Sequence, residues 1–187
     1  LYTLNFYKKT PFIFCLRKIS NICSKNVNFN KYHDQHHLKS VIIISCIFAK
    51  TLNIQPDDII LTILIALAHD MSHQGKRIVN KPYFQEMQTI KILERVIFPK
   101  LLNSKSWKRI CRIILNTYFP IEPKLNNDLV EKVILNADIA SSVIFGYNVG
   151  LKLAKQLKHE KDIGFASEKL YQNFLKTLEN RNNDLCK

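Results

Sequence analysis

A chain of 187 residues that is 47% hydrophobic, with four Gly and no long polar tract, reads as one globular domain with a buried core and leaves little room for a disordered linker. Its net charge of +13 favours anionic ligands, but most lysines stand singly, as on solvated helix faces, so charge alone names no partner. Five Cys, odd in number and without a Cys-x-x-Cys pair, argue against a disulfide framework and suit a reducing cytoplasm.

Residues 1–33 hold no Asp or Glu and lack a long apolar segment ending in a small-residue cleavage site, so no targeting signal is assigned. Residues 1–29 are expected to be a helical or poorly ordered extension. A dense apolar run over 36–52 predicts a helix that can bury most of its surface. Asp57 and Asp58 complement the dipole at the start of the next helix, which runs to about Asp70. The apolar runs Val41–Phe48 and Ile59–Ala68 fall short of the roughly 20 residues of a spanning helix, so no transmembrane segment is expected.

Gly75 and Pro82 punctuate a loop. Met87, Ile90, Ile92, Leu93, Val96 and Ile97 predict an amphipathic helix over 83–102. Ser104 is a candidate cap for a helix over 105–118, which Pro120 and Pro123 end. Residues 125–157 read as helical with a break near Gly146–Gly150, and 165–180 supply the last helix. Cys46 and Cys111 lie in apolar stretches and are expected in the core. No alternating pattern supports a strand, so the fold class is all-α, a single compact multi-helix bundle.

Five of the six His fall in two clusters, Tyr32-His33-Asp34-Gln35-His36-His37 and His69-Asp70-Met71-Ser72-His73. The second follows an apolar helix, where a His-Asp pair is costly to bury without a partner. A divalent cation is a natural one, since imidazole and carboxylate together suit Zn, Mn, Fe or Mg. A lone His-Asp dipeptide would read equally well as a hydrogen-bonded pair. Two clusters joined by an apolar helix, followed by Asp138 within apolar Val133–Ala140, favour the metal. The four-residue spacing of His33 with His37, and of His69 with His73, puts each pair on one helix face if the segment that carries it is helical.

The order His, then His-Asp, then a distant Asp resembles the HD superfamily of metal-dependent phosphohydrolases. Tyr32-His33-x-x-x-His37-x-x-x-Val41 is similar to the opening signature of the class I cyclic-nucleotide phosphodiesterase catalytic domain. His69-Asp70-x-x-His73-x-Gly75 resembles that family's second motif, Ile114–Thr117 the helix before its last metal segment, and Leu135–Ala140 that segment itself. The likeness implies an HD/phosphodiesterase-like bundle over residues 30–187. It implies His37, His69, Asp70 and Asp138 as ligands of a first metal, often Zn, with Asp70 bridging to a second, Mg or Mn. It further implies His33 as general acid toward the leaving sugar oxygen, and His73 beside the bridging water or the second metal's water shell. Glu86 matches an acid that orients the site, though it reads equally as an exposed helix residue. His36 and His159 have no role in the likeness.

The implied reaction is hydrolysis of a 3′,5′-cyclic nucleotide to its 5′-monophosphate, with a small nucleotide as partner and no obligate nucleic acid. Asp162 and Phe165 are the local match to the family's purine-gripping Gln and its stacking Phe, and Asp162 would lean toward guanine. Gln74, Ile78 and Tyr118 stand where the family has Pro, Asn and Asp, and the interval from Asp70 to Asp138 is shorter. These departures spare every ligand and bear on the substrate. The alternatives are another HD phosphohydrolase acting on nucleotides or guanosine tetraphosphate, a catalytically degenerate basic domain that binds nucleic acid, and a structural helical protein with coincidental His clusters.

Overall fold

The computed structural model describes residues 9–76, 78, 81–97, 103–118, 127–161 and 166–182, which form eight α-helices and no strand. They are α1 (Lys9–Val27), α2 (Gln35–Thr51), α3 (Pro56–Ala68), α4 (Phe84–Val96), α5 (Ser104–Asn116), α6 (Leu129–Ala140), α7 (Tyr147–Lys161) and α8 (Ser167–Asn182). None is long and apolar enough to cross a membrane.

Local chemistry sets most of the helix starts. Asp34 caps α2, its Oδ1 accepting from the backbone N–H groups of His36 and His37 at 2.8 and 3.0 Å. Pro56 opens α3, with Asp57 and Asp58 in its first turn. Asn103, rather than Ser104, caps α5 through Ser106 N at 2.8 Å, because an Asx carbonyl one residue earlier reaches the orphan donor. Asp128 caps α6. The expected break near Gly146–Gly150 falls earlier: α6 stops at Ala140, a turn follows, and Gly146 takes a φ of 90° before α7 begins. Gly150 instead lies inside α7, where a Cβ would collide with the Tyr171 ring of α8.

Helix α3 is the central element, packed by α2, α6, α1 and α5. Its Leu61, Leu64 and Ile65 are buried with Val41 and Ile44 of α2, Ile113 and Ile114 of α5, and Ile134 of α6. One face of α1 completes this core with Cys15, Ile19, Cys23 and Val27, so the part of residues 1–29 described here is a packed helix. Cys46 and Cys111 are only half-buried; the cysteines of the core are Cys15 and Cys23, and burial pushes the Cys23 thiol up to about 12.

One ionic network ties the helices at the end away from the His clusters. Arg109 of α5 holds Asp58 of α3 through two bonds at 2.6 and 3.1 Å, and Asp128 of α6 through two at 2.7 and 2.8 Å. Arg112 reaches Asp128 at 2.5 Å and the fully buried Glu131 at 3.1 Å, and Asn116 satisfies the other Glu131 oxygen. A planar guanidinium makes paired bonds to two carboxylates at once, a geometry that an ammonium cannot reproduce. Arg109→Met is therefore expected to lower unfolding free energy by about 2–4 kcal/mol in urea titration, with Arg109→Lys recovering only part. An unchanged urea midpoint in Arg109→Met would show the network to be ornamental.

Candidate metal centre

Three helix ends deliver the site. His37 sits in the first turn of α2, His69 at the C-terminal cap of α3 with Asp70 in the turn after it, and Asp138 in the last turn of α6. His37 Nε2 lies 3.2 Å from Asp70 Oδ2 and 3.1 Å from Asp138 Oδ1. His69 Nε2 lies 3.1 Å and 3.7 Å from the same two atoms. The imidazoles are 3% and 0% exposed, whereas the carboxylates of Asp70 and Asp138 are 16% and 26% exposed and form the open side.

The tautomers follow from the other ring nitrogens. His69 Nδ1 faces the Ala66 carbonyl at 2.9 Å, and since a carbonyl only accepts, that nitrogen carries the proton. Ser141 Oγ donates to the Asp138 carbonyl at 2.6 Å and so turns a lone pair toward His37 Nδ1, 3.3 Å away. In the neutral rings the Nε2 lone pairs then point inward, each oriented by a partner behind it. Neither Nε2 makes a hydrogen bond despite its close approach to both carboxylates. The four N···O separations of 3.1–3.7 Å are close to the edge, about 3.4 Å, of a tetrahedron with the roughly 2.0–2.2 Å bonds of Zn–N and Zn–O, and all four ligand atoms lie within 4.8 Å of one another. The donor set fits a divalent cation, and His37, His69, Asp70 and Asp138 form a group that could hold one.

A second group lies beside it. His33 and His73 stack with ring centroids 3.6 Å apart, and both face Glu160 of α7. Glu160 Oε2 accepts from His33 Nδ1 at 2.5 Å, while its Oε1 takes the backbone N–H of Tyr32 at 2.6 Å and of His33 at 3.1 Å. Burial would raise the Glu160 carboxyl, but His33 and these N–H donors outweigh it and hold the acid down at about 2. This trio could also hold a cation by position. Its inward nitrogens are engaged, however: His33 Nδ1 by Glu160, and His73 Nδ1 as acceptor from Gly75 N–H at 3.1 Å. It reads better as a hydrogen-bonded relay.

His33 and His37 do not share the helix face that their spacing would give in a helical segment. His33 precedes the Asp34 cap and His73 lies beyond α3, so neither is helical. The rings meet because two loops converge, His33 lying edge-on to His37 at 5.4 Å. Glu86, in the first turn of α4, is half-buried, and its Oε2 is buried without a hydrogen-bond partner. Burial, with repulsion from Asp70, lifts its carboxyl to about 7, so it belongs to the surroundings of the site. One turn further on, Thr89 donates to the His69 carbonyl at 3.4 Å. Asp162 and Phe165 lie outside the described residues, and His36 and His159 are exposed. Glu160 was not legible in the sequence, because it stands between His159 and Lys161 and reads as a solvated helix face.

No known protein family, curated protein or solved structure matches this chain.

Without a cation, protons take its place. Burial lowers the His37 imidazole, but Asp138 and Asp70 overcome this and lift it to about 9, and they hold His69 well above its ordinary value too. Because His37 rises from 6.5 to about 9 on folding, its contribution to stability is complete below 6.5 and is lost as pH rises through about 9. A metal competes with the same protons. Calorimetry in buffers of different ionisation enthalpy is expected to show proton release on Zn or Mn binding at pH 7, and affinity rising about tenfold per pH unit for each proton displaced. Binding with no proton release would place the metal elsewhere.

Proposed function

We propose that this chain is a metal-dependent phosphohydrolase that cleaves a nucleotide phosphodiester, with a 3′,5′-cyclic nucleotide as the first candidate substrate. The observation that carries the reading is the adjacency of two unlike groups: four inward ligand atoms, and a histidine backed by an ionised carboxylate. The first is what a cation needs, and the second is what a leaving oxygen needs. The order and spacing of these residues also resemble the HD phosphohydrolases and, within them, the class I cyclic-nucleotide phosphodiesterases.

In this reading His37, His69, Asp70 and Asp138 would hold a first ion, in the expected case Zn, and Asp70 would also serve a second, Mg or Mn. Bound divalent ions would supply neutralisation of the phosphodiester charge and activation of a water for in-line attack. His33 delivers the proton to the departing sugar oxygen from Nε2, the nitrogen that Glu160 leaves available. Glu160 fixes the ring by gripping Nδ1 and the His33 backbone N–H together. His73, stacked on the other face, keeps that ring from turning. Glu86, half-buried beside the site, would be the acid that orients it.

Metal content and product analysis on a nucleotide panel test the proposal together. Metal-loaded protein is expected to convert cyclic AMP or cyclic GMP to the 5′-monophosphate. Cleavage confined to nucleoside triphosphates or guanosine tetraphosphate would move it to another branch of HD chemistry. Salt-dependent RNA or DNA binding without turnover would favour the degenerate alternative. Asp70→Ala is expected to abolish turnover and lower bound metal. His33→Ala should keep its metal and turn over roughly 10²–10⁴-fold more slowly, with the smallest loss on a p-nitrophenyl ester, whose leaving group needs no proton. Metal loss in His33→Ala would make His33 a ligand instead.

A further inference from the structure

Asn30, in the loop between α1 and α2, belongs to neither group but touches both loops that carry the stacked histidines. Its Nδ2 donates to the His33 carbonyl at 2.9 Å and to the His73 carbonyl at 2.9 Å. Carbonyls only accept, so the amide nitrogen must face them, and both of its N–H bonds are used. The amide oxygen turns toward Gly75, which has a φ of 62° and where a Cβ would collide with the Asn30 carboxamide. Gly75 in turn donates its N–H to His73 Nδ1. One side chain therefore sets the spacing of two backbones, and through Gly75 the tilt of one ring.

Other side chains of the α1 region also grip the last turn of α3 and the loop after it. Asn26 Nδ2 donates to the Met71 carbonyl at 3.0 Å, and the Cys23 thiol to the Leu67 carbonyl at 3.2 Å. Each of these bonds joins α1 to a single carbonyl. Of these three side chains, Asn30 is the one that ties the His33 backbone to the His73 loop, across whose separation the rings stack.

We propose that Asn30 is a positioning residue for proton delivery: by bridging the two carbonyls it holds the His33 ring against His73 and Glu160 in the orientation that donates. The kinetic part of this inference rests on the phosphodiester-cleaving reading above, while its structural part does not. A displacement of about 1 Å at a reacting group costs on the order of 10²-fold in rate, so the bridge has leverage on turnover without touching substrate.

Asn30→Asp tests it in the full, metal-loaded chain, being nearly isosteric but without a donor for either carbonyl. Imidazole ¹H–¹⁵N spectra are expected to show the ring-current shifts of His33 and His73 lost, with His37, His69 and the metal content unchanged. Turnover of a cyclic nucleotide should fall roughly 10- to 100-fold, while cleavage of a p-nitrophenyl phosphodiester falls much less. Asn30→Ser, which can donate to only one carbonyl, should lie between, and it carries the test if the Asp variant does not fold. Unshifted His33 and His73 signals in either variant, or equal losses on the two substrates, would overturn the proposal. If the unaltered protein cleaves neither substrate, the functional reading falls, and the imidazole spectra alone decide the role of Asn30.

Discussion

Two imidazole lone pairs and two carboxylates share one small volume where α2, α3 and α6 meet, and in a nearly dry interior that arrangement repels itself unless positive charge sits among them. Every other feature of the site answers this constraint. Ala66 and Ser141 turn the rings so that lone pairs, not N–H bonds, face inward. The raised basicity of His37 and His69 describes the same tension with protons as the compensating charge. The hydrophobic core supplies the rigidity, since α3 is buried on nearly every side and cannot swing its C-terminal end away.

The geometry separates holding charge from moving it. His37, His69, Asp70 and Asp138 come from helix ends, where backbone packing fixes position. His33 and His73 come from loops, which need side-chain ties such as Asn30 and Glu160 to reach comparable order. The Glu160 tie reaches from α7, while the Asn30 tie springs from the loop that carries His33 and crosses to the loop that carries His73.

The all-helical class was legible because helical apolar periodicity runs through almost every segment, and the candidate group of His37, His69, Asp70 and Asp138 because their types and setting allow few satisfied alternatives. The misplacements have local causes. Ser104 and Asn103 are both competent caps, and sequence cannot say which φ/ψ the chain adopts. Spacing of four suggested shared helix faces for His33 with His37 and for His69 with His73, but the Asp34 cap excludes His33 from α2 and α3 ends before His73. Glu160 stayed hidden because burial of one acid in a lysine-rich helix depends on tertiary packing that periodicity does not encode. Asn30 was equally silent, since an amide that bridges two carbonyls has no signature apart from the loops it joins.

The gradient of exposure across the centre has a consequence for how it fills. The carboxylate oxygens stand at the rim and the imidazole nitrogens at the floor. A hydrated cation entering such a site would meet Asp138 and Asp70 before the histidines, so its capture would begin as a salt-sensitive encounter with charge and end in a slower loss of water. The same doorway would govern escape, and a chelator in solution would act only as fast as the floor released the ion to the rim.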